Sequence, residues 1–288
     1  MNLVETKTTK ENTKRLIDYL RQFDRVTIAF SGGVDSSVVA AAAMQAGLDS
    51  AVAVTGWSPS VSQWQIDWSE RIADQIGIDH RVVKTEEGSQ PNYIRNDAKR
   101  CFYCKESLYR TLAQIADQCD QTVLISGTNA DDLGDYRPGI EAGKLASVKT
   151  PLADLGFGKI EVRALARWFN LENAELPASP CLASRVAYGV DVTPERLARI
   201  EQAENWLRDR GFSDLRVRIH ADELARVEVP VDELYRLFDA SLAAEMNKTY
   251  RSLGFRYVTV DTQGLQSGSL NRALVSIETS ESRKGISL

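Results

Sequence analysis

A short apolar run, Arg25-Val-Thr-Ile-Ala-Phe30, leads straight into Ser31-Gly-Gly-Val-Asp-Ser-Ser37 and then into an Ala-rich stretch from Val38 to Gly47. The first piece reads as a buried strand, the last as a close-packed helix stopped by its terminal glycine. A glycine-rich turn between them gathers backbone amides and the hydroxyls of Ser31 and Ser36 at a helix N-terminus, where the dipole favours negative charge. Ser31, Gly32, Gly33 and Ser36 therefore form a candidate phosphate site. It is not the common nucleotide P-loop, because no Gly-Lys-Ser/Thr ending is present. A tight turn without a ligand is the competing reading of Gly-Gly alone.

The same alternation continues along the first half of the chain. Strands are expected at Ala51–Thr55, His80–Val83 and Thr122–Ser126, and helices at Gln65–Ile76, Lys105–Ala116 and Lys159–Phe169. This predicts an α/β domain over residues 1–171, a parallel sheet with helices on both faces and ligands at the carboxyl ends of its strands. Residues 172–192 are interrupted by Pro177, Pro180 and Gly189 and show no sustained period, which suits a linker carrying Cys181. Thr193-Pro194-Glu195 has a Thr cap and Pro at the first helical position, and opens a smaller α+β domain over residues 193–270. Within it we expect a helix to about Arg210, strands at Leu215–His220 and Ala225–Val229, one helix over Val231–Leu253, and a strand at Phe255–Val260. Residues 271–288 form a polar C-terminal tail.

A length of 288 residues suits two moderate domains, and 43% hydrophobic with 26% charged residues marks a folded globular chain. Thirty-five Lys and Arg against forty Asp and Glu give a net charge of −5. Diffuse attraction to nucleic acid or to an anionic membrane is therefore not available, and an anionic ligand must meet a local positive pocket. The polar start, Met1 to Lys14, lacks a signal peptide's apolar stretch, and no apolar run approaches the roughly 20 residues of a membrane span. The expectation is a cytoplasmic protein with no membrane partner.

Gly127-Thr-Asn-Ala-Asp-Asp132 follows the strand ending at Ser126, on the same sheet edge as the first loop. Asp131 and Asp132 would suit a magnesium ion bridging phosphates, with a hydrated turn as the alternative. Four cysteines are too few for a disulfide scaffold. Cys101-Phe-Tyr-Cys104 is a C-x-x-C pair beside Lys99 and Arg100, and Cys181 follows later. A closed zinc site would want four ligands, and neither His80 nor His220 shows ligand spacing with these cysteines. A redox dithiol, three thiolates on an iron–sulfur cluster with one iron open, and coincidence all remain open from spacing alone. Cys119 reads as a packing thiol, His80 as structural, Trp57, Trp64 and Trp68 as core, and Glu201, Glu204 and Glu228 as solvated acids.

Ser-Gly-Gly-Val-Asp-Ser36 resembles the pyrophosphate-binding loop (PP-loop) of the N-type ATP pyrophosphatases. Together with Arg-Cys-Phe-Tyr-Cys-Lys105, Asn-Ala-Asp-Asp-Leu-Gly-Asp-Tyr-Arg-Pro-Gly139, Pro-Cys-Leu-Ala-Ser-Arg185 and Leu-Gly-Phe-Arg-Tyr-Val258, it is similar to the LarE family, the ATP-dependent sulfur transferases of nickel-pincer cofactor synthesis. The similarity runs from about Thr13 to Ala273, through both expected domains. It implies ATP and Mg2+ as cofactors, with Ser31, Gly32, Gly33, Asp35, Ser36, Gly127 and Lys159 at ATP. It implies pyridinium-3,5-biscarboxylic acid mononucleotide as substrate, its carboxylates adenylated and then converted to thiocarboxylates. One form of the family surrenders the sulfur of a cysteine in the Cys181 region. The other holds a [4Fe-4S] cluster on three cysteines, and the pair present here favours that form, with Cys101, Cys104 and Cys181 as ligands.

A substrate bearing two carboxylates and a phosphate calls for arginine, whose guanidinium binds such groups bidentately. Arg216 and Arg218 alternate with His220 on one strand face, and Arg185 stands four residues after Cys181. With Arg137 of the Asp-Tyr-Arg-Pro-Gly string, they are the substrate-binding candidates. A sulfide or persulfide donor is implied as partner, and the second domain serves substrate binding or homo-oligomer formation. The main rival is a tRNA thiolation enzyme of the same superfamily, which the net charge of −5 and the lack of a basic extension argue against. A non-catalytic ATP-binding or metal-binding regulator is the other alternative.

Overall fold

The computed structural model describes residues 3–116, 122–134, 138–177, 179–266 and 268–271. Cys119, Arg137 and most of the expected tail lie outside them. Contacts divide the chain into two compact units, the first within Met1–Ser89 and Cys101–Pro180, the second within Gln90–Arg100 and Cys181–Leu288. Residues 172–180 of the expected linker thus fall in the first unit and 181–192 in the second. No helix among the described residues is long and apolar enough to cross a membrane.

In chain order the first unit begins α1 (Leu3–Leu20), β1 (Arg25–Ala29), α2 (Val34–Ala46), β2 (Ser50–Trp57), α3 (Gln63–Ile76) and β3 (Asp79–Lys84). After the one-turn α4 (Pro91–Ile94) of the second unit come α5 (Arg100–Ala116), β4 (Thr122–Ser126), α6 (Pro138–Leu145), α7 (Pro151–Asp154) and α8 (Lys159–Trp168). The four strands are all parallel, in the order β3-β2-β1-β4. Alternation along β1 decides its two faces: Val26, Ile28 and Phe30 enter a core with α1, α2 and α8, while Ala29 joins Tyr109 and Leu112 of α5 and Ala142 of α6. The alanines of α2 are buried almost all round, which is why this helix carries no polar face. Ser62 caps α3 reciprocally with Gln65, and Gly77 ends it in the left-handed conformation. The chain builds β2 and β3 on one side of β1, then returns to place β4 on the other. Such a reversal of strand order opens a crevice at the carboxyl ends of β1 and β4.

Helix α5 starts at Arg100 rather than at Lys105, so the cysteine pair stands in its first two turns and not in a preceding loop. Asp97 explains the earlier start: its carboxylate accepts the Lys99 amide at 2.8 Å and its carbonyl accepts the Arg100 amide at 3.0 Å. Phe102 then packs on the same inner stripe as Tyr109 and Leu112.

The second unit holds α9 (Pro194–Arg208), β5 (Arg216–His220), β6 (Leu224–Glu228), α10 (Leu234–Leu237), α11 (Ala240–Leu253) and β7 (Tyr257–Val260). Its sheet runs β5-β6-β7, antiparallel and then parallel. Thr193 caps α9 through the Arg196 amide with Pro194 in the first turn, as its sequence foretold. The single helix expected over Val231–Leu253 is broken: the Asp239 side chain takes the Ser241 and Leu242 amides and restarts the chain as α11. Buried Val217, Ile219, Ala225 and Val227 form the apolar face of the sheet. The opposite face carries Arg216, Arg218, His220, Arg226 and Glu228, since the register pairs Arg216 with Glu228 and Arg218 with Arg226.

Candidate active site

The loop after β1 is built to expose amides. Gly32 has φ +66°, and a Cβ there would lie 2.8 Å from the Ser69 Cα of α3, so both conformation and space require glycine. Gly33 caps α2 in an extended conformation with no side-chain acceptor, which leaves the first amides of that helix available to an anion. Hydroxyls line the turn: Ser36 Oγ donates to Gly33 O at 3.1 Å and accepts from the Ser31 amide at 3.3 Å, and Ser31 Oγ accepts from the Gly33 amide at 3.3 Å.

The loop after β4 closes on the same point. A Cβ on Gly127 would stand 2.6 Å from the Ser36 backbone nitrogen, and Asn129 Nδ2 donates to Asp35 Oδ1 at 3.2 Å. The two loops that the sequence placed on one sheet edge are thus in contact at the reversal of strand order. The acidic pair is otherwise engaged. Asp132 is buried, its Oδ2 accepting the Asn129 amide at 3.3 Å, and Asp131 Oδ2 accepts the Lys159 amide at the start of α8 at 2.8 Å. The Lys159 side chain is exposed. Arg163 donates to the carbonyls of Ala174 and Leu176 and so fastens the segment after α8.

Cys101 and Cys104 are thiols outside any disulfide among the described residues, one turn apart on α5, the first exposed and the second half-buried. Their spacing suits two thiolates presented on one helix face. Cys181 is a free, half-buried thiol in the second unit, where it precedes the turn Leu182–Arg185. Among the described residues no group of three His, Cys, Asp or Glu side chains is gathered as a metal site.

Around Cys181 the second unit builds a network of buried ions. Arg185 donates to the Cys181 carbonyl at 3.0 Å and pairs with Glu204 at 3.0 Å. Glu204 also takes Arg208 at 2.9 Å and the Val217 amide at 3.2 Å. Burial by itself would raise the Glu204 carboxyl, but Arg185 and Arg208 hold it below the ordinary carboxylate range. On the sheet, Arg218 pairs with buried Glu228 at 2.9 Å and donates to Ser184 O at 3.0 Å, while Arg226 shares Glu228 and reaches Asp261. Glu204 and Glu228, expected to be solvated, are fully buried, because each is the counter-charge of arginines that the fold turns inward. Arg216 differs from its neighbours. Among the described residues it makes no ion pair, and burial followed by the nearby Arg185 pushes its guanidinium down to about 10. An arginine outside any ion pair, with Arg185 and Arg218 near it and Glu204 only partly opposing them, favours an anion.

Other expectations shift. Trp57 and Trp64 are exposed rather than core, with Trp64 stacked on Trp68 at 5.6 Å. His80 is structural, its Nε2 bonded to Thr55 Oγ1 at 2.8 Å and its imidazole pKa lowered by burial. One residue that motif reading passed over, Asn173, reaches the first loop with its side chain.

The asparagine synthase family matches residues 17–145, the part that contains both loops. An uncharacterized protein of Synechocystis sp. is 42% identical over 262 residues, covering 90% of this chain and 97% of its own length. The pyridinium-3,5-bisthiocarboxylic acid mononucleotide synthase of Lactiplantibacillus plantarum is 34% identical over 272 residues, 93% of this chain and 96% of its own. An uncharacterized protein of Methanocaldococcus jannaschii is 26% identical over 239 residues, 83% of this chain and 90% of its own. A phosphate loop at the reversal of strand order, and a likeness to the Lactiplantibacillus synthase that runs through both units, place the chain in the LarE-type PP-loop family of ATP-dependent sulfurtransferases.

Proposed function

We propose that this enzyme converts the carboxylates of pyridinium-3,5-biscarboxylic acid mononucleotide to thiocarboxylates, in the cytoplasm, using ATP, Mg2+ and a [4Fe-4S] cluster. The observation that carries the reading is the 34% identity over 93% of the chain to the Lactiplantibacillus synthase. In the first step a substrate carboxylate oxygen attacks the α-phosphorus of ATP, forming an acyl adenylate and releasing pyrophosphate. The amides and hydroxyls of Ser31, Gly32, Gly33 and Ser36 hold the leaving pyrophosphate, with Gly127 keeping the second loop close enough to share it. Asp131 and Asp132, each already accepting one backbone amide, would supply acidic groups toward Mg2+, with Asp35 and Lys159 at the same edge. In the second step a sulfur nucleophile attacks the acyl carbon and AMP leaves with the bonding electron pair, giving the thiocarboxylate. A second round on the other carboxylate completes the product. Arg216, Arg218, Arg185 and Arg137 bind the anionic mononucleotide, and among the described residues Arg216 stands outside any ion pair.

Cys101, Cys104 and Cys181 would hold the cluster, which when bound supplies an exchangeable sulfide replenished by a sulfide or persulfide donor. The chain's own contribution is to present two thiols on one turn of α5 and to fix the Cys181 backbone through Arg185. Anaerobic purification with iron and sulfide analysis, then turnover with ATP, magnesium and the mononucleotide, tests the proposal. Near four irons per chain, repeated product formation and an intact Cys181 are expected. An iron-free protein that loses the mass of hydrogen sulfide at Cys181 in one turnover would overturn the cluster. Absence of substrate thiolation in either state would overturn the substrate.

A further inference from the structure

The PP-loop contains two adjacent glycines, Gly32 and Gly33. Glycine pairs leave the intervening peptide free to turn over at little steric cost. The two orientations differ electrostatically: one aims the Gly33 amide at an incoming phosphate, the other aims the Gly32 carbonyl there. Within the loop the Gly33 amide donates to Ser31 Oγ at 3.3 Å, and the Gly32 carbonyl is held from outside the loop.

That outside hold comes from Asn173. It is fully buried in the segment after α8, and its Nδ2 donates both to Gly32 O at 2.8 Å and to Ser37 Oγ at 2.8 Å. A carbonyl can only accept, so the amide must face it with nitrogen, and the side-chain orientation is thereby fixed. Ser37 Oγ accepts from Asn173 and passes its own proton on to Gly33 O at 2.9 Å. One side chain therefore holds Gly32 O directly and bears on Gly33 O through Ser37, beside the Ser37 amide at 3.0 Å and Ser36 Oγ at 3.1 Å on that second carbonyl. In a planar trans peptide the N–H points opposite to the C=O, so drawing Gly32 O and Gly33 O inward turns the amides of Gly33 and Val34 the other way. Asn173 Oδ1 has no partner among the described residues, so both of these hydrogen bonds are donations toward the loop.

We infer that Asn173, acting with Ser37, is a positioning residue for ATP: it sets the peptide orientation of the PP-loop so that amides rather than carbonyls meet the pyrophosphate moiety. The inference rests on residues 31–36 being the phosphate loop. It predicts a selective defect, because AMP lacks the two phosphates that the loop receives, whereas a merely structural role would weaken all nucleotide ligands alike.

The test is calorimetric titration of the full-length protein, in magnesium, with inorganic pyrophosphate and separately with AMP, for wild type, Asn173→Ala and Ser37→Ala. Loss of a buried hydrogen bond that leaves its acceptor unpaired corresponds to about tenfold weaker pyrophosphate binding in Asn173→Ala, and loss of one relayed bond to about threefold in Ser37→Ala. AMP affinity is expected to stay within about twofold in both. Equal loss of pyrophosphate and AMP affinity, or unchanged pyrophosphate affinity in a folded variant, overturns the inference. Should Asn173→Ala fail to fold, the small Ser37→Ala change decides the matter by the same criterion. A wild type that binds AMP but no pyrophosphate would overturn the phosphate-loop reading itself, and this inference with it.

Discussion

Replacing Glu204 by Gln should cost the second unit about 3 kcal/mol, and the figure follows from where its partners sit. Arg185 and Glu204 are 3% and 0% exposed, so removing the carboxylate charge strands a buried guanidinium, a change worth about 3–5 kcal/mol. Gln keeps the shape and one acceptor oxygen, which places the cost at the lower end. Arg208 is 37% exposed and can turn to water, so its bond to Glu204 adds less than about 1 kcal/mol. Hydrogen exchange of α9 and β5 peptides is the suitable assay, because a chain of two units need not unfold in one step and local protection isolates the second. The folded Glu204 carboxyl lies below its ordinary 4.5, because the pull of Arg185 and Arg208 outweighs the opposing effect of burial. Its stabilisation is therefore complete above that pH and is lost as the pH falls through the folded value. Wild type should lose protection on acidification, and Glu204→Gln should lack that part of the loss. The paired change Arg185→Met with Glu204→Leu removes both buried charges and should recover all but about 1 kcal/mol, the remainder being the unpaired Val217 amide. A single variant costing under about 1 kcal/mol, or a double variant no better than the single, would refute the idea that a buried charge pair controls this unit.

Gly32→Ala forces a Cβ to 2.8 Å from the Ser69 Cα at φ +66°, so titration with pyrophosphate should show at least about tenfold weaker binding. Arg216→Met removes a half-buried guanidinium that lacks an ion pair among the described residues; thermal unfolding should show an unchanged or higher midpoint while KM for the pyridinium mononucleotide rises. Cys101→Ser changes an exposed side chain, so the fold and pyrophosphate binding should persist, while iron content and repeated turnover fall together in anaerobic preparations.

The strand and helix alternation of the first unit, and the α2 loop within it, were legible because they depend on neighbours in sequence: β4 runs over Thr122–Ser126 as its apolar run implied, and Gly32 does what a glycine in a tight turn must. The cap at Thr193 was legible for the same reason. Asp97 and Asp239 mark the limit of that logic. Each moves a helix boundary with its own side chain, and an aspartate's preference for a cap over a solvated helix position is settled by competition with packing that sequence spacing does not express. What only tertiary structure decided are the relations between distant residues. Glu204 and Glu228 look like surface acids until the fold brings Arg185, Arg208, Arg218 and Arg226 against them, because a carboxylate is buried only where a counter-charge offsets its desolvation. Asn173 looks like an ordinary loop residue, and becomes the anchor of the phosphate loop because the chain after α8 passes beneath Gly32, 141 positions away in sequence.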